Sequence, residues 1–495
     1  MANHTSTLSA LGLTPREGRD VEVTGLVIDS RKIEKGCLFA ALPGTQVHGA
    51  SYVGAAIEDG AAAILTDREG AILAADALSG ADVALVVVED ARAALAHAAN
   101  LWFGAVPETI VAVTGTNGKT SVASFARQIW EALGEPAVNI GTTGVEGSYT
   151  APGIHTTPDP LTLHRLLAEL KSEGIDRVAM EASSHGLDQR RMEAVRPCAA
   201  AFTNLTQDHL DYHGTMEAYF EAKARLFSDL LLDQGSAVIN VDDPYGRRLA
   251  DALDERDGLE LIRIAQYAED AEIRITGRRM DETGQDLLVT VWGQPRRIRL
   301  DLIGAFQAMN VLTAAALCIA AGEDPDAVVS VLGEMRGVRG RMQLAARREN
   351  GAPVYVDYSH TPDSIETALK ALRPHVLGRL VIVFGAGGDR DRTKRPLMGK
   401  AAAENADVLY LTDDNPRSED PDLIRAEVRQ GCPDAIEVAD RAEAILRAVD
   451  ALEPGDALLI AGKGHETGQI VGDVVYPFDD VEQASVAVAA LEGRA

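Results

Sequence analysis

TIVAVTGTNGKTSVASFARQIW, residues 109–130, joins a β-branched apolar run at 110–113 to a helical pattern beginning at Lys119, through a turn containing Gly115 and Gly118. Strand, glycine loop and helix in that order make a phosphate cradle. Glycines let backbone N–H groups turn inward with no Cβ in the way. The helix N-terminus adds partial positive charge. In that plan Lys119 reaches the β- and γ-phosphates of a nucleotide, and the Thr120 hydroxyl holds Mg²⁺. The general phosphate-loop pattern has glycine five residues before Gly118, where Val113 stands, so GTNGKT is a shortened version. An ordinary strand–turn–helix connection is the competing reading; GKT between strand and helix favours the cradle.

With 495 residues, the chain exceeds one core, and roughly 150 residues per domain gives about three. Apolar residues make up 46% and charged residues 25%, which describes a soluble globular chain. Aromatics are only 4%, so the cores must be built from Ala, Val, Leu and Ile. The net charge of −28, from 47 basic and 75 acidic residues, argues against sequence-independent nucleic-acid binding, which needs a basic footprint. It leaves room for a phosphate ligand in a local glycine loop. The first 20 residues show no basic segment followed by an apolar run, so no secretory leader is expected. The longest apolar candidate, 311–321, falls short of the roughly 18 residues of a spanning helix, so no membrane insertion is expected. Cys37, Cys198, Cys318 and Cys432 lie far apart with no CxxC pair. Buried thiols in a reducing cytoplasm are the favoured reading.

Residues 1–103 read as a small α/β domain. VEVTGLVIDSRKI is expected to be one strand running into a turn at Asp29, Ser30 and Arg31. CLFAALPG, AAAILT and VALVVVED are further strands, with helices near 52–59 and over ARAALAHAANLWFG. The loop 44–49 is either a ligand contact or a plain turn. Residues 104–333 read as a second α/β unit. Its strands end in polar residues: Glu181, Ser183, Ser184 and His185 after one, Asn204, Thr206, Asp208, His209, Asp211 and His213 after the next, Asp242 and Asp243 after a third. Parallel sheets bind ligands at the carboxyl ends of their strands, so these ends point to one crevice. A hairpin-rich patch at 272–302 and a helix at 307–321 follow. Residues 334–495 alternate again, with strands in VYVDYSH, LVIVFGAGG, DVLYLTDD and ALLIAGKG. The domain is Rossmann-like, but Gly385, Gly387 and Gly388 do not make GxGxxG, so a nicotinamide dinucleotide is not expected.

Glu181 and His209 are the best metal pair in the middle domain. Taken singly, Glu181 suits a helix cap or salt bridge and His209 a hydrogen-bonded core; their shared position after neighbouring strands favours Mg²⁺, completed by phosphates and water. Lys223 sits mid-helix in YFEAKARLF and, on pattern alone, reads as a surface lysine lying along apolar neighbours. In the last domain, Arg390, Arg392, Lys394 and Arg395 follow one strand, Asp413, Asp414, Asn415 and Arg417 the next, and Lys463, His465 and Glu466 another. Clusters of both signs suit a zwitterion, with guanidiniums forking carboxylates and acidic groups taking an ammonium. Surface charge in loops is the plainer alternative.

GTNGKT, MEASSH, TNLTQDHLDYHG, YFEAKARLF, GRMQ, DYSHTPDS, GGDRDRTKRP, DNPR and GKGHE occur in the order found in the Mur ligase family, which the chain resembles over nearly its whole length. The resemblance implies a UDP-sugar-binding domain at 1–103, a central P-loop ATPase-like domain at 104–333 and a Rossmann-like amino-acid-binding domain at 334–495. It implies a cytoplasmic enzyme of peptidoglycan synthesis, expected to be a monomer. ATP would meet Gly115, Thr116, Asn117, Gly118, Lys119, Thr120, Ser121, Asn310 and Arg341. Mg²⁺ would be held by Thr120, Glu181, His209 and a carbamylated Lys223, with Lys119, Lys223 and His209 acting in catalysis. A UDP-muramoyl dipeptide would meet Ile28, Ser30, Thr45, Gln46, Val47, His155, Thr156, Thr157, Ser183, Gln189 and Arg191. Asp357 and His360 would stand at the hinge to the last domain. DNPR resembles the version that selects meso-diaminopimelate rather than lysine: Arg417 would take its distal carboxylate, Asp414 and Asn415 its distal ammonium, and Arg390, Pro416, Gly462 and Glu466 would complete the pocket. One departure is Arg339, where relatives usually have proline.

The reaction so implied phosphorylates the glutamyl carboxylate with ATP, then lets the amine displace phosphate from the acyl phosphate. Folylpolyglutamate synthetase shares the fold but would lack both the large UDP-binding domain and DNPR. A P-loop NTPase switch would leave the C-terminal clusters unexplained.

Overall fold

Leu38 and Ala40 pack into one core cluster while Phe39, between them, packs into another. The same alternation places Ala63 and Leu65 on one side and Ile64 on the other. This is the period of two of a strand buried on both faces, and it makes continuous apolar runs rather than an apolar–polar alternation. The strands Leu26–Val27, Leu38–Ala40, Ala63–Thr66 and Ala84–Val87 lie side by side in chain order, all parallel. The helix Ala91–Phe103 follows, capped by Asp90, whose carboxylate accepts from the backbone N–H groups of Arg92 and Ala93.

The computed structural model describes residues 4–44, 47–153, 155–281 and 283–493. Thr45 and Gln46, expected to touch a nucleotide, lie outside the described residues. Contacts divide the chain into two units. The first takes the residues up to Thr114 with Pro136–Ala200 and Ala222–Gly235; the second takes Gly115–Glu135, Ala201–Glu221 and the residues from Ser236 onward.

The first unit corrects one expectation. VEVTGLVIDSRKI is two short strands, not one. Glu22–Val23 pairs antiparallel with Ser6–Thr7, and Leu26–Val27 joins the parallel sheet. The break is at Thr24, whose hydroxyl donates to Lys35 O at 3.0 Å and whose N–H donates to Gly36 O at 2.9 Å. In the same unit, Arg177–Glu181 lies parallel between Thr109–Thr114 and Ala137–Gly141, with Glu181 opposite Val113 and Met180 opposite Ile140. Glu181 therefore stands at the carboxyl edge of this sheet, as expected.

In the second unit the glycine loop opens the helix Lys119–Ala132, which packs on the helix Ala305–Ala320; Cys318 Sγ donates to Ala126 O at 3.6 Å. The expected hairpin patch is a meander of Ile273–Asp281, Gly284–Val291 and Gln294–Leu300. A six-stranded sheet follows, ordered Gln343–Arg347, Pro353–Asp357, Ala457–Ala461, Leu380–Phe384, Val408–Leu411, Ile436–Glu437, parallel except at its first edge. Leu380, Ile382 and Phe384 fill the core on one face, Val381 and Val383 that on the other. A hairpin, Gly468–Val471 with Val474–Pro477, was not foreseen in the sequence.

Part of the acidic surplus is spent locally. Asp159, Asp243, Asp324 and Asp420 each cap a helix whose first residue is proline, accepting the backbone N–H groups that the helix leaves without partners. No helix among the described residues is long and apolar enough to cross a membrane.

The last sheet is tied to its C-terminal helix by Arg441 and Asp480, both 0% exposed, with Nη2–Oδ2 2.7 Å and Nε–Oδ1 2.8 Å. Arg441 also donates to Ala461 O at 2.9 Å, which fixes the end of the strand preceding Gly462. Removing one member of such a pair strands a buried charge. Asp480→Ala should lower unfolding free energy by about 3–5 kcal/mol in a urea titration; a loss under about 1 kcal/mol would contradict this reading of the pair.

Candidate active site

The glycine loop of the second unit is bonded on its inner side to residues 203–206. Thr116 N donates to Asn204 O at 2.8 Å, Asn117 N to Asn204 Oδ1 at 2.9 Å, and Thr206 N to Thr116 Oγ1 at 3.0 Å. Thr203 Oγ1 and Asn204 Nδ2 both donate to Asn117 O, at 2.6 and 3.2 Å. The two glycines are required by space as well as by backbone angle. A Cβ on Gly115 would lie 1.9 Å from Thr203 Oγ1, and one on Gly118, at φ 92°, 2.7 Å from Asn310 Oδ1. Lys119 bends back over the loop, donating to Gly115 O and Thr116 O at 2.9 Å each. Thr120 and Ser121 are buried in the first helical turn.

Arg341 donates through Nη2 to Thr120 Oγ1 at 3.1 Å, and its guanidinium lies 4.5 Å from the centre of the Tyr358 ring. Its position comes from Asp357, which accepts from Met342 N at 2.6 Å and Ser359 N at 2.9 Å. Asp363 ties the same segment to the loop, accepting from Asn117 Nδ2 and Thr206 Oγ1 at 3.1 Å each. His360 donates to Tyr358 O at 2.9 Å. Burial pushes its pKa down, and the Lys394 ammonium adds to this. His209 has left-handed backbone, φ 54°, and its Nε2 is 3.4 Å from Asp208 Oδ2.

In the first unit, Glu181 is buried and accepts from Thr142 N at 2.8 Å and Thr142 Oγ1 at 3.1 Å. Thr142 Oγ1 lies 3.1 Å from Thr156 Oγ1. Thr157 Oγ1 donates to Glu181 O at 2.9 Å and accepts from Ser183 N at 3.0 Å. Ser183 then caps the short helix Ser184–Asp188. Arg191 donates to Thr157 O at 2.8 Å and forks Gln189 Oε1 at 3.2 and 2.8 Å. A cavity of about 610 Å³ in this unit is lined by Ile28, Ser30 and Val47 on one side and His155, Gln189 and Arg191 on the other. Two groups of residues more than a hundred positions apart thus share one cavity. Arg31 of the polar turn lines it too, as do Tyr52, Arg92 and Asp159, none of which was named as a ligand contact in the sequence.

At the carboxyl edge of the six-stranded sheet, Asp414, Asn415, Pro416 and Arg417 follow the strand Val408–Leu411. Lys463, 0% exposed, donates to Asn415 Oδ1 at 2.9 Å and Glu466 Oε2 at 3.3 Å; Asn415 Nδ2 donates to Glu466 Oε2 at 2.9 Å. A Cβ on Gly462 would lie 2.3 Å from Asp414 Oδ2. Arg417 donates to Gly388 O at 2.8 Å. Burial lowers its pKa and the nearby Arg390 guanidinium lowers it further. The carboxylates of Asp414, Glu466 and Asp389 act the other way, so guanidiniums and carboxylates share this region, a mixed-sign set that suits a zwitterion.

Models of the Mur ligase family, catalytic domain, the Mur ligase middle domain and the Mur ligase, glutamate ligase domain match residues 22–103, 113–318 and 340–464. The UDP-N-acetylmuramoyl-L-alanyl-D-glutamate–2,6-diaminopimelate ligase of Caulobacter vibrioides is 49% identical over 482 residues, 96% of each chain. The Bradyrhizobium diazoefficiens protein of the same name is 48% identical over 472 residues, 95% of each chain. The chain belongs to the Mur ligase family. A solved structure of a ligase with that name matches with TM-score 0.69 and 33% identity, covering 99% of this chain and 100% of that one. The mixed α/β architecture with parallel sheets is the one expected of a Mur ligase.

Three side chains of this Mur ligase differ from their reading by pattern. Lys223 is 1% exposed, not a surface lysine, because its helical face turns inward with Tyr219 and Leu226. Arg395 is fully buried and binds Glu419 at 2.8 Å and Glu427 at 2.7 Å, so it braces the fold rather than facing a ligand. Asp413 pairs with Arg425 on the next helix, away from Asp414. Thr142 was missed; the only sequence signal was a threonine pair after the strand Ala137–Gly141. Gly141 beside it matters because a Cβ there would lie 1.9 Å from Glu181 Oε1. Gly141→Ala should displace that carboxylate and destabilise the protein by about 1–3 kcal/mol in urea; unchanged stability would show that Glu181 is not held over Gly141.

Proposed function

We propose that this Mur ligase adds meso-diaminopimelate to UDP-N-acetylmuramoyl-L-alanyl-D-glutamate with ATP, releasing ADP and phosphate, as a step in peptidoglycan synthesis. The observation that carries the reading is 49% identity across 96% of the chain to a ligase named for those substrates. The three matched segments support domains at 1–103, 104–333 and 334–495. We assign the enzyme to the cytoplasm, as a monomer, where ATP is available and its four thiols stay reduced.

The cavity lined by Ile28, Ser30, His155, Gln189 and Arg191 has the size and polarity for a nucleotide-sugar substrate. The loop 115–118, with Lys119, Thr120, Ser121, Asn310 and Arg341, is the proposed ATP site. There the Lys119 ammonium, now on the carbonyls of Gly115 and Thr116, transfers its hydrogen bonds to phosphate oxygens. The glutamyl carboxylate attacks the γ-phosphorus, ADP departs, the amine attacks the acyl carbon, and phosphate leaves. Lys119 and Arg341 offset the charge that builds up on the transferring group.

Among the described residues, no group of three or more His, Cys, Asp or Glu is gathered for a metal. Mg²⁺ takes one or two protein oxygens and completes its shell with phosphates and water. The family resemblance assigns Thr120, Glu181 and His209 to hold it. Lys223, buried on its helix, would contribute as a carbamate, which offers oxygen ligands where an ammonium offers none. When bound, Mg²⁺ neutralises phosphate charge.

Arg390 and Arg417 would take the distal carboxylate of diaminopimelate, and Asp414 and Glu466 its ammonium, within a pocket bounded by Asn415, Pro416 and Gly462. Lysine lacks that carboxylate and would leave Arg417 half-buried without an anion, at about 3–5 kcal/mol for a lost partner. Measured kcat/KM should strongly favour diaminopimelate over lysine, and Arg417→Ala should reduce the diaminopimelate value by on the order of 10²-fold or more. Equal use of the two amino acids by wild type would overturn the assignment.

A further inference from the structure

Arg417 is one of few non-glycine residues with left-handed backbone, φ 51°. Such a conformation is unfavourable for a long side chain and persists only where the surroundings over-determine it. What determines it here is the hairpin Gly468–Val471/Val474–Pro477. Arg417 N donates to Ile470 O at 3.0 Å, and Gly472 N donates to Arg417 O at 2.8 Å, so both backbone groups of Arg417 are held by one edge of the hairpin. Arg417 and Val471 form a parallel bridge. Two residues earlier in the loop, Ile470 N donates to Asn415 Oδ1 at 2.9 Å, and Gln469 Nε2 donates to Asp414 O at 2.7 Å.

Asn415 is consumed by this arrangement. Its carboxamide oxygen accepts from both Lys463 Nζ and Ile470 N, which fills its two lone pairs. One N–H is given to Glu466. It cannot accept from an ammonium without breaking the clasp. Asn415 therefore holds the hairpin and the loop together, leaving recognition of an ammonium to the carboxylates Asp414 and Glu466.

We infer that the hairpin 468–477, through Gln469 and the backbone of Ile470 and Gly472, is a specificity element that sets the direction of Arg417 toward the incoming amino acid. Gln469 is a positioning residue in it. An isolated two-stranded hairpin is marginal in water, and this one leaves Val471, Val474, Val475 and Tyr476 exposed. Its order and that of the loop thus depend on each other. Gln469 contributes the one side-chain bond of the hairpin to the loop backbone, where a lost donor leaves Asp414 O without that partner.

The inference rests on the proposed amino-acid substrate. Full-length wild type, Gln469→Leu, Gln469→Asn and Leu377→Ser are compared in steady-state assays with ATP and the UDP-muramoyl dipeptide, varying diaminopimelate or lysine. Leucine removes the amide, and asparagine retains it but draws it back by one methylene. Both should raise KM for diaminopimelate by about tenfold, the size of one well-placed hydrogen bond, and narrow the preference over lysine. KM for ATP and for the dipeptide should stay unchanged, as should every parameter of the control Leu377→Ser, an exposed apolar residue outside the hairpin. A wild type selective for diaminopimelate whose Gln469 variants keep that KM and preference would overturn the hairpin's role. A Gln469 effect spread equally over all three substrates would also overturn it, since that pattern denotes general loss of folded enzyme. A wild type that does not use diaminopimelate would instead defeat the substrate assignment beneath it.

Discussion

The clasp between residues 203–206 and the glycine loop is the constraint on which the chemistry of the second unit rests. A loop that wraps around a phosphate must hold its backbone in one fixed curve. Here Asn204 and Thr203 engage Asn117 from both sides, and Thr206 engages Thr116. The closeness of that clasp explains Gly115, where even a methyl group would strike Thr203. Asp363 extends it into the last part of the chain through Asn117 and Thr206. The loop is thus organised before any ligand arrives, and ordering it at the moment of binding is unnecessary.

Charge is handled locally in a strongly acidic chain. Carboxylates at helix starts are absorbed by backbone N–H groups, as at Asp90, Asp159 and Asp243. Buried cations are matched one to one, as Arg441 with Asp480, or one to two, as Arg395 with Glu419 and Glu427. Against that background Arg390 and Arg417 stand out, because the second depresses its own pKa through burial and the first lowers it again. Asp414, Glu466 and Asp389 act on Arg417 in the opposite sense, so a substrate carrying both an anionic and a cationic group would find a partner for each.

Much of this was legible in the sequence, for a physical reason. The loop at 115–118 and the polar strand ends at Glu181, Asp414 and Lys463 are local patterns, in which an apolar strand stops and turn or charged residues begin. What was not legible depends on distant partners. The strand break at Thr24 is set by bonds to Lys35 and Gly36. The inward face of the helix carrying Lys223 and the bracing role of Arg395 are set by packing that no periodicity reveals. The cavity unites Ile28 and Ser30 with Gln189 and Arg191, and only the family resemblance pointed to those residues; spacing alone carried no such signal. The hairpin at 468–477 was missed because half of its eight strand residues are exposed valines and tyrosine on either side of Gly472, without the alternation that marks a buried strand.

The central claim is that the enzyme activates the dipeptide's carboxylate by phosphorylation before forming the amide. Supplying the UDP-muramoyl dipeptide with a heavy-oxygen label in the glutamyl carboxylate, together with ATP and diaminopimelate, tests it directly by mass spectrometry of the released phosphate. The account predicts one labelled oxygen in each phosphate and no phosphate release when the dipeptide is withheld. Unlabelled phosphate, or release that proceeds without the dipeptide, would contradict it.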